Sequence, residues 1–183
     1  GPATLRGHIG LDSTNQETRV FSSIRLTRDD LRIATVGLTG AWRGAGVQAV
    51  ANLEYRQGLS FAGASRTGDP DLSRFDANPQ AGVLRGDLTA DLALPARFAL
   101  NVRAQAQWSN ASLAAPEEFT AGNLTIGRGY DPGAAFGDSA LAAAVELRGP
   151  PLPVSTGLTT QPFVFHDAAE VWNHEPGAPD GRW

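Results

Sequence analysis

The sequence predicts an all-β fold: an antiparallel transmembrane β-barrel, of which this chain is an incomplete part. Three observations carry that reading. The hydrophobic pattern repeats every two residues, the side-chain period of a strand. The alternating segments run roughly 10–13 residues, longer than the ~5–6 usual in soluble sheets and near the ~9–11 of a tilted membrane strand. The connections alternate between short turns and long polar loops, as periplasmic turns and extracellular loops do in such barrels.

Each element follows from the alternation. From Val47 to Arg56, Val47, Ala49, Ala51, Leu53 and Tyr55 oppose Gln48, Asn52, Glu54 and Arg56. From Leu84 to Leu94 the apolar set is Leu84, Leu88, Leu92 and Leu94, with Gly86 and Ala90 between them; Arg85, Asp87, Thr89 and Asp91 oppose it. From Arg97 to Trp108 the odd face carries Arg97, Asn101, Arg103, Gln105 and Gln107. The even face carries Phe98, Leu100, Val102 and Trp108. From Ser139 to Arg148, Leu141, Ala143, Val145 and Leu147 oppose small residues, Glu146 and Arg148. Weaker alternation at 3–12, 18–27, 31–42 and 158–172 brings the count to about eight strands, with no helix.

Short turns are expected at 43–46, around Pro95-Ala96 and at 149–153, and long loops at 58–81, 109–138 and from 173. The connection at 28–30 breaks the pattern, being short where a long loop belongs. Trp42 and Phe98 fall on the short-turn side, and Tyr55, Trp108 and Trp172 on the long-loop side, as two interfacial girdles would. A soluble β-sandwich has the same periodicity with its apolar face inward; strand length and loop asymmetry favour the barrel.

Composition excludes several functions. All 15 basic residues are arginine, and the net charge is −4. With no basic patch, nucleic acid is not an expected partner. The absence of cysteine removes disulfides and thiolate metal sites. No apolar run reaches the length of a transmembrane helix. The chain has no methionine; Gly1-Pro2 reads as a protease scar or a cut within a longer protein, and the end at Gly181-Arg182-Trp183 reads as a loop. His8, His166 and His174 lack metal-ligand spacing, and Ser139 has no nucleophile elbow around it. No glycine pattern opens a helix. The pairs Asp29/Asp30 and Asp69/Asp71 read as solvated turn residues, and Glu117-Glu118 as the base of the long loop. No enzyme activity, cofactor or metal is expected.

The most informative segment is Gly127-Arg128-Gly129-Tyr130, in a glycine-rich loop. Read alone, the run through Asp131-Pro132-Gly133 is loop punctuation. Glycine neighbours, however, let an arginine approach a wall closely, and a guanidinium buried there needs a carboxylate. Glu118-Phe119-Thr120-Ala121-Gly122 precedes the loop core. Gly137-Asp138 follows it, then an alternating strand ending Glu146-Leu147-Arg148. Phe165-His166-Asp167, in an apolar strand, supplies the candidate carboxylate at Asp167.

This ordered set resembles the two-partner secretion transporters, the haemolysin and filamentous-haemagglutinin secretion type (TpsB). They share a superfamily with the outer-membrane barrel assembly protein. The resemblance covers nearly the whole chain and is strongest from about 82 to 173. It implies a bacterial outer-membrane location, a monomeric barrel of about sixteen strands in lipid, and a secreted exoprotein as partner. It implies that residues 1–183 are a partial barrel domain, with strands six to thirteen present and the POTRA domains absent. The loop at 109–138 folds into the lumen, where Arg128 meets Asp167 of a Phe-x-Asp-x-Gly motif that also includes Phe165. Two positions depart from the family pattern: Gly127 replaces valine, and Ala169 replaces the last motif glycine. Glu54, Arg56, Arg85, Asp87, Asp91, Arg97, Arg103 and Glu146 are then expected to line a wet pore, rather than form a plain solvated face. The rival functions are a barrel-assembly insertase of the same superfamily, a diffusion porin, or a soluble β-sandwich binding module. An eight-strand piece of such a barrel is expected to be a curved, open sheet.

Overall fold

The structure, a computed structural model, describes residues 2–21, 23–123, 125–175 and 180–182. Gly1, Trp183 and residues 176–179 of the loop expected from 173 lie outside the described residues. The strands in chain order are β1 (Ala3–Val20), β2 (Ile24–Gly44), β3 (Val47–Gly58), β4 (Gly82–Ala93), β5 (Ala99–Ser109), β6 (Phe119–Ala121), β7 (Ala135–Gly137), β8 (Ser139–Arg148), β9 (Leu152–Ser155), β10 (Leu158–Thr160), β11 (Phe163–Trp172) and β12 (Gly181–Arg182). One eight-stranded sheet runs β1-β2-β3-β4-β5-β8-β11-β12, and all its pairings are antiparallel. The ribbons β6–β7 and β9–β10 stand outside it. Among the described residues no pairing joins β1 to β12, so the sheet is open. Among the described residues no helix is long and apolar enough to cross a membrane, which says nothing of a β-barrel.

Four expectations need correction. The segments 3–12, 18–27 and 31–42 are two strands of 18 and 21 residues, joined at 21–23. No turn exists at 28–30; the short connection at the long-loop end lies at 21–23 instead, between the two longest strands. At ~3.3 Å per residue such strands extend far beyond an apolar band of ~25 Å. The outer face of β1 records the crossing: Leu5, Ile9 and Leu11 give way to Ser13, Asn15 and Glu17. That change of pattern mimics a strand end. Asp29 and Asp30 lie within β2 and are 1% and 6% exposed, not solvated. The segment 158–172 divides at Gln161-Pro162: Leu158–Thr160 folds back on Leu152–Ser155, and β11 starts at Phe163. Gly181–Arg182, expected in a loop, pairs with β11 at Val171 and Glu170.

Register keeps each face consistent across the sheet. Tyr55 lies opposite Leu84, which lies opposite Trp108; Val102 lies opposite both Ala90 and Val145. This face carries Leu53, Leu84, Leu88, Leu141 and Val145, all exposed. A row of exposed leucines and valines is what a lipid-facing wall needs, because lipid is their solvent. The buried clusters lie on the opposite face, where the long loops fold in. Leu31, Ile33, Leu72, Ala77 and Ala114 form one of them, and Ala121, Ile126, Ala142, Ala144 and Ala169 another.

The loop at 59–81 has a definite seat. Above the pair Ile33–Gly58, β2 has no β3 partner, and the loop takes that edge. Leu59 N donates to Arg32 O at 2.7 Å, Ser65 N to Asp30 O at 2.8 Å and Arg28 N to Asp71 O at 2.5 Å. Asp29 Oδ1 accepts from Ser73 N at 3.2 Å. The edge is thus covered rather than left open to other chains.

Two predictions follow from this wall. In the full barrel, spin labels at Leu53, Leu88 and Val145 will relax with lipid-soluble oxygen, and labels at Arg85, Asp87 and Arg103 with an aqueous relaxant. The reverse pattern would mean a soluble sandwich. The 183-residue chain alone, with its open sheet, will carry no stable single-channel current in a planar bilayer; steady currents would show that it closes by itself.

Candidate functional site

The segment between β5 and β8 starts and returns at the long-loop rim and lies against the inner face. Its narrow neck is the ribbon β6–β7, with Phe119 opposite Gly137 and Ala121 opposite Ala135. The tip carries Gly127-Arg128-Gly129-Tyr130.

Arg128 is held from three sides. Its Nε and Nη2 donate to Asp167 at 3.1 and 2.8 Å, a two-pronged pairing. Its Nη1 donates to Glu146 of β8. Its guanidinium lies 3.9 Å from the centroid of the Phe165 ring, in cation–π contact. The loop backbone joins in, since Gly127 N and Arg128 N donate to Asp167 Oδ2 at 3.2 and 2.8 Å. Gly127 adopts φ 127°, where a side chain would be strained. This accounts for glycine at the first departure from the family pattern. The planar fork and the paired carboxylate geometry suit arginine and not lysine. The Asp167 side chain is 3% exposed and that of Arg128 24%. At the second departure, the Ala169 methyl joins Ala142 and Ala144 in the apolar floor beneath Ile126. Tyr130 stands half-exposed beside this pairing.

The expected pore charges fall into two groups. Near the loop root, Glu117 bridges Arg56 and Arg85, with Arg56 Nε at 2.9 Å and Arg85 Nη2 at 3.1 Å. Arg56 Nη1 also reaches Asp12 at 3.1 Å and Glu54 at 3.0 Å. His8 Nε2 lies 3.0 Å from Glu54. These charges belong to one network between wall and loop. Farther toward the short turns, Asp87 accepts from Gln105 and Asp91 from Asn101. Asp87, Arg103, Thr89 and Gln105 line the space beneath Thr125 and Ile126. Arg97 is not on the wall. It ends the turn Pro95–Arg97, with φ 64°, at the short-turn rim.

A second centre went unassigned in the sequence. Asp138 is 0% exposed. Its Oδ1 accepts from Arg74 Nη1 at 2.5 Å and Leu113 N at 2.7 Å, and its Oδ2 from His174 N at 2.7 Å. Arg74 also meets Glu118 at 2.9 Å and Glu175 at 3.4 Å. One aspartate thereby ties together the loop 59–81, both ends of the loop 109–138 and the segment after β11. The visible signal was Gly137-Asp138 directly before an alternating strand; its partner Arg74 gave none, being one arginine in a turn-rich loop.

The charges of this centre are unequal. Burial works against the cation of Arg74, but the hydrogen bond and charge of Asp138 outweigh it and hold the guanidinium above its ordinary pKa. Glu118 goes the other way. Burial first, then the nearby carboxylates Asp138, Glu175 and Asp76, raise its pKa above 4.5 despite Arg74. One guanidinium cannot neutralise this many carboxylates, and Asp138 holds it most closely.

An open all-β wall with a loop docked on its inner face is the architecture of part of an outer-membrane barrel. The sequence profile described as haemolysin secretion/activation protein ShlB/FhaC/HecB matches residues 9–180. The chain belongs to this family of outer-membrane two-partner secretion transporters, and its place is the bacterial outer membrane. Among solved structures it is similar to CdiB from Escherichia coli, with a TM-score of 0.73 and 18% sequence identity. That match covers 98% of this chain and 33% of the other, so the chain spans about one third of that protein's length. No curated protein sequence matches it.

A pH dependence follows from Glu118. A carboxyl with a raised pKa in the fold contributes stability that is complete below about pH 4.5 and is lost as pH rises through its folded value. Protease protection of the loop 109–138 in the liposome-embedded full barrel will therefore fall as pH rises through that window. Glu118→Gln will flatten the decline; an unchanged slope would show that another group sets it.

Proposed function

We propose that the full barrel carries a secreted partner protein outward through its lumen in extended form, and that the loop bearing Arg128 is the lock of that passage. The single observation that carries this reading is the docking of Arg128 on Asp167 and Glu146 of the inner wall. A loop held this way lies in the path of any chain crossing the lumen. Its contacts are mostly charge-assisted hydrogen bonds, each worth about 1.5–3 kcal/mol when partners are well matched. Bonds of this kind hold the loop at rest and exchange for water or cargo when a chain arrives. The inward face supports the same reading. It alternates carboxylates, arginines and amides, which offer an unfolded polypeptide no long apolar strip on which to stick. The passage uses no cofactor, and folding of the cargo outside supplies the direction.

The test is a charge exchange in the full-length transporter, made with its partner exoprotein. Arg128→Ala and Asp167→Asn will each cut secretion roughly tenfold or more while heat-modifiable migration shows a folded barrel. The double exchange Arg128→Asp with Asp167→Arg will recover part of it. Full secretion by Arg128→Ala would remove the lock from the mechanism. Loss of the folded barrel in both single variants would make the pair a structural brace instead.

A further inference from the structure

The lumen loop is attached at two separate places, built differently. Its tip meets the wall through Arg128, Gly127 and Ile126. Its root is the ribbon β6–β7 with the residues on either side of it. There Asp138 and Glu118 meet Arg74 of the neighbouring long loop, and Glu117 meets Arg56 and Arg85 of the wall. The root buries Ala121 and Asp138 completely, each 0% exposed, and leaves Phe136 at the surface; the tip buries Ile126 against the wall. At the tip, Asn123, Gly129, Asp131 and Pro132 are exposed.

Two glycines stand at the junction. Gly122 follows β6 with φ 142°, and Gly133 precedes β7 with φ 70°. A Cβ on Gly122 would strike the Asp131 carbonyl. The tip has its own bonds, Gly122 N to Ile126 O at 3.0 Å and Thr125 N to Gly122 O at 2.9 Å, and two bonds cross the glycines, Thr125 Oγ1 to Thr120 O at 3.1 Å and Ala134 N to Asp131 O at 3.1 Å. The tip is therefore a small unit with its own bonding, joined to a fixed root through two residues of wide backbone freedom.

We propose that Asp138 and Arg74 are positioning residues that pin the loop root to the rim, so that residues 122–133 swing as a flap on Gly122 and Gly133 when Arg128 leaves Asp167. This rests on the transport reading above and deepens it. The passage opens by turning the tip aside, with the root still seated, and the loop is ready to dock again once cargo has passed. Asp138 suits the pinning role because its donors come from segments far apart in sequence, at residues 74, 113 and 174. Its bonds do not involve Arg128, so release of the tip leaves them intact.

Single cysteines in a cysteine-free full-length barrel test this, since the present chain contributes none. Ile126→Cys reports the tip and Ala121→Cys the root, both positions being buried in the docked loop and read as rates of labelling by a water-soluble maleimide in liposomes. With Arg128→Ala, labelling at 126 will rise roughly tenfold or more, while labelling at 121 stays within about twofold. Adding Asp138→Asn or Arg74→Gln will raise the rate at 121 as well. Arg74→Gln keeps the bonds of Asp138 to Leu113 and His174, and serves where Asp138→Asn fails to assemble. Equal increases at 126 and 121 with Arg128→Ala alone would overturn the flap, even where secretion still depends on Arg128. No increase at 126 would instead count against the lock itself.

Discussion

A wall whose apolar face is turned to lipid has to settle its charges on the other side. In the hydrocarbon no water is available to a stray polar group, so strands must pair fully and side chains must sort by face. Leu53, Leu88 and Val145 take the outside, and Arg56, Arg85 and Glu146 the inside. The long loops then fold against a polar wall, and their seats are ionic where a soluble core would be oily. The apolar clusters that do exist on this face are small. Ala142, Ala144 and Ala169 are short enough to let Ile126 lie close to the backbone, and closeness is what brings Arg128 within reach of Asp167.

That constraint also explains which parts of the fold could be read from the sequence. Where a strand has lipid on one side and lumen on the other, period two is clean; β3, β4, β5 and β8 were legible nearly to their ends. Beyond the membrane the rule relaxes. The upper part of β2, from Ile24 to about Arg32, faces water or a loop, so its alternation fades and its charges look like a turn. Asp29 and Asp30 read as solvated for that reason. They are buried by the loop at 59–81, whose seat depends on β2 outrunning β3 at Gly58. Strand length relative to a neighbour is a tertiary fact with no local signature. The same holds for Pro162, which marks the start of β11 only because Leu158–Thr160 turns back on Leu152–Ser155.

The site divides in the same way. Arg128 and Asp167 were legible because a motif surrounds each of them, and their pairing needs nothing beyond the loop's return onto the inner face of the sheet. The charges Arg56, Arg85 and Glu54 were legible as inward-facing, but their engagement with Glu117 was not, since one residue at the base of a long loop gives no register. Arg97 misled because it extends the alternation of β5 two residues back from Ala99, into the turn Pro95–Arg97. The role of Asp138 is not legible in the sequence, because it lies in partners at residues 74, 113 and 174 rather than in its own neighbourhood.

Two anchors on one loop impose different demands, and the structure meets them with different chemistry. An anchor that must open should be reachable by water and made of bonds that water or cargo can replace. The Arg128 side chain, at 24% exposure, meets that demand. An anchor that must hold should exclude water and draw its bonds from several segments, so that no single displacement frees it. Asp138, fully buried with donors from Arg74, Leu113 and His174, meets that one. Glu118 is the compromise between them. It sits beside Arg74 in a site already claimed by a stronger carboxylate, and its pKa is raised by burial first and then by the surplus of negative charge around it. A group in that position weakens the root slightly near neutral pH, which leaves the holding anchor short of permanent.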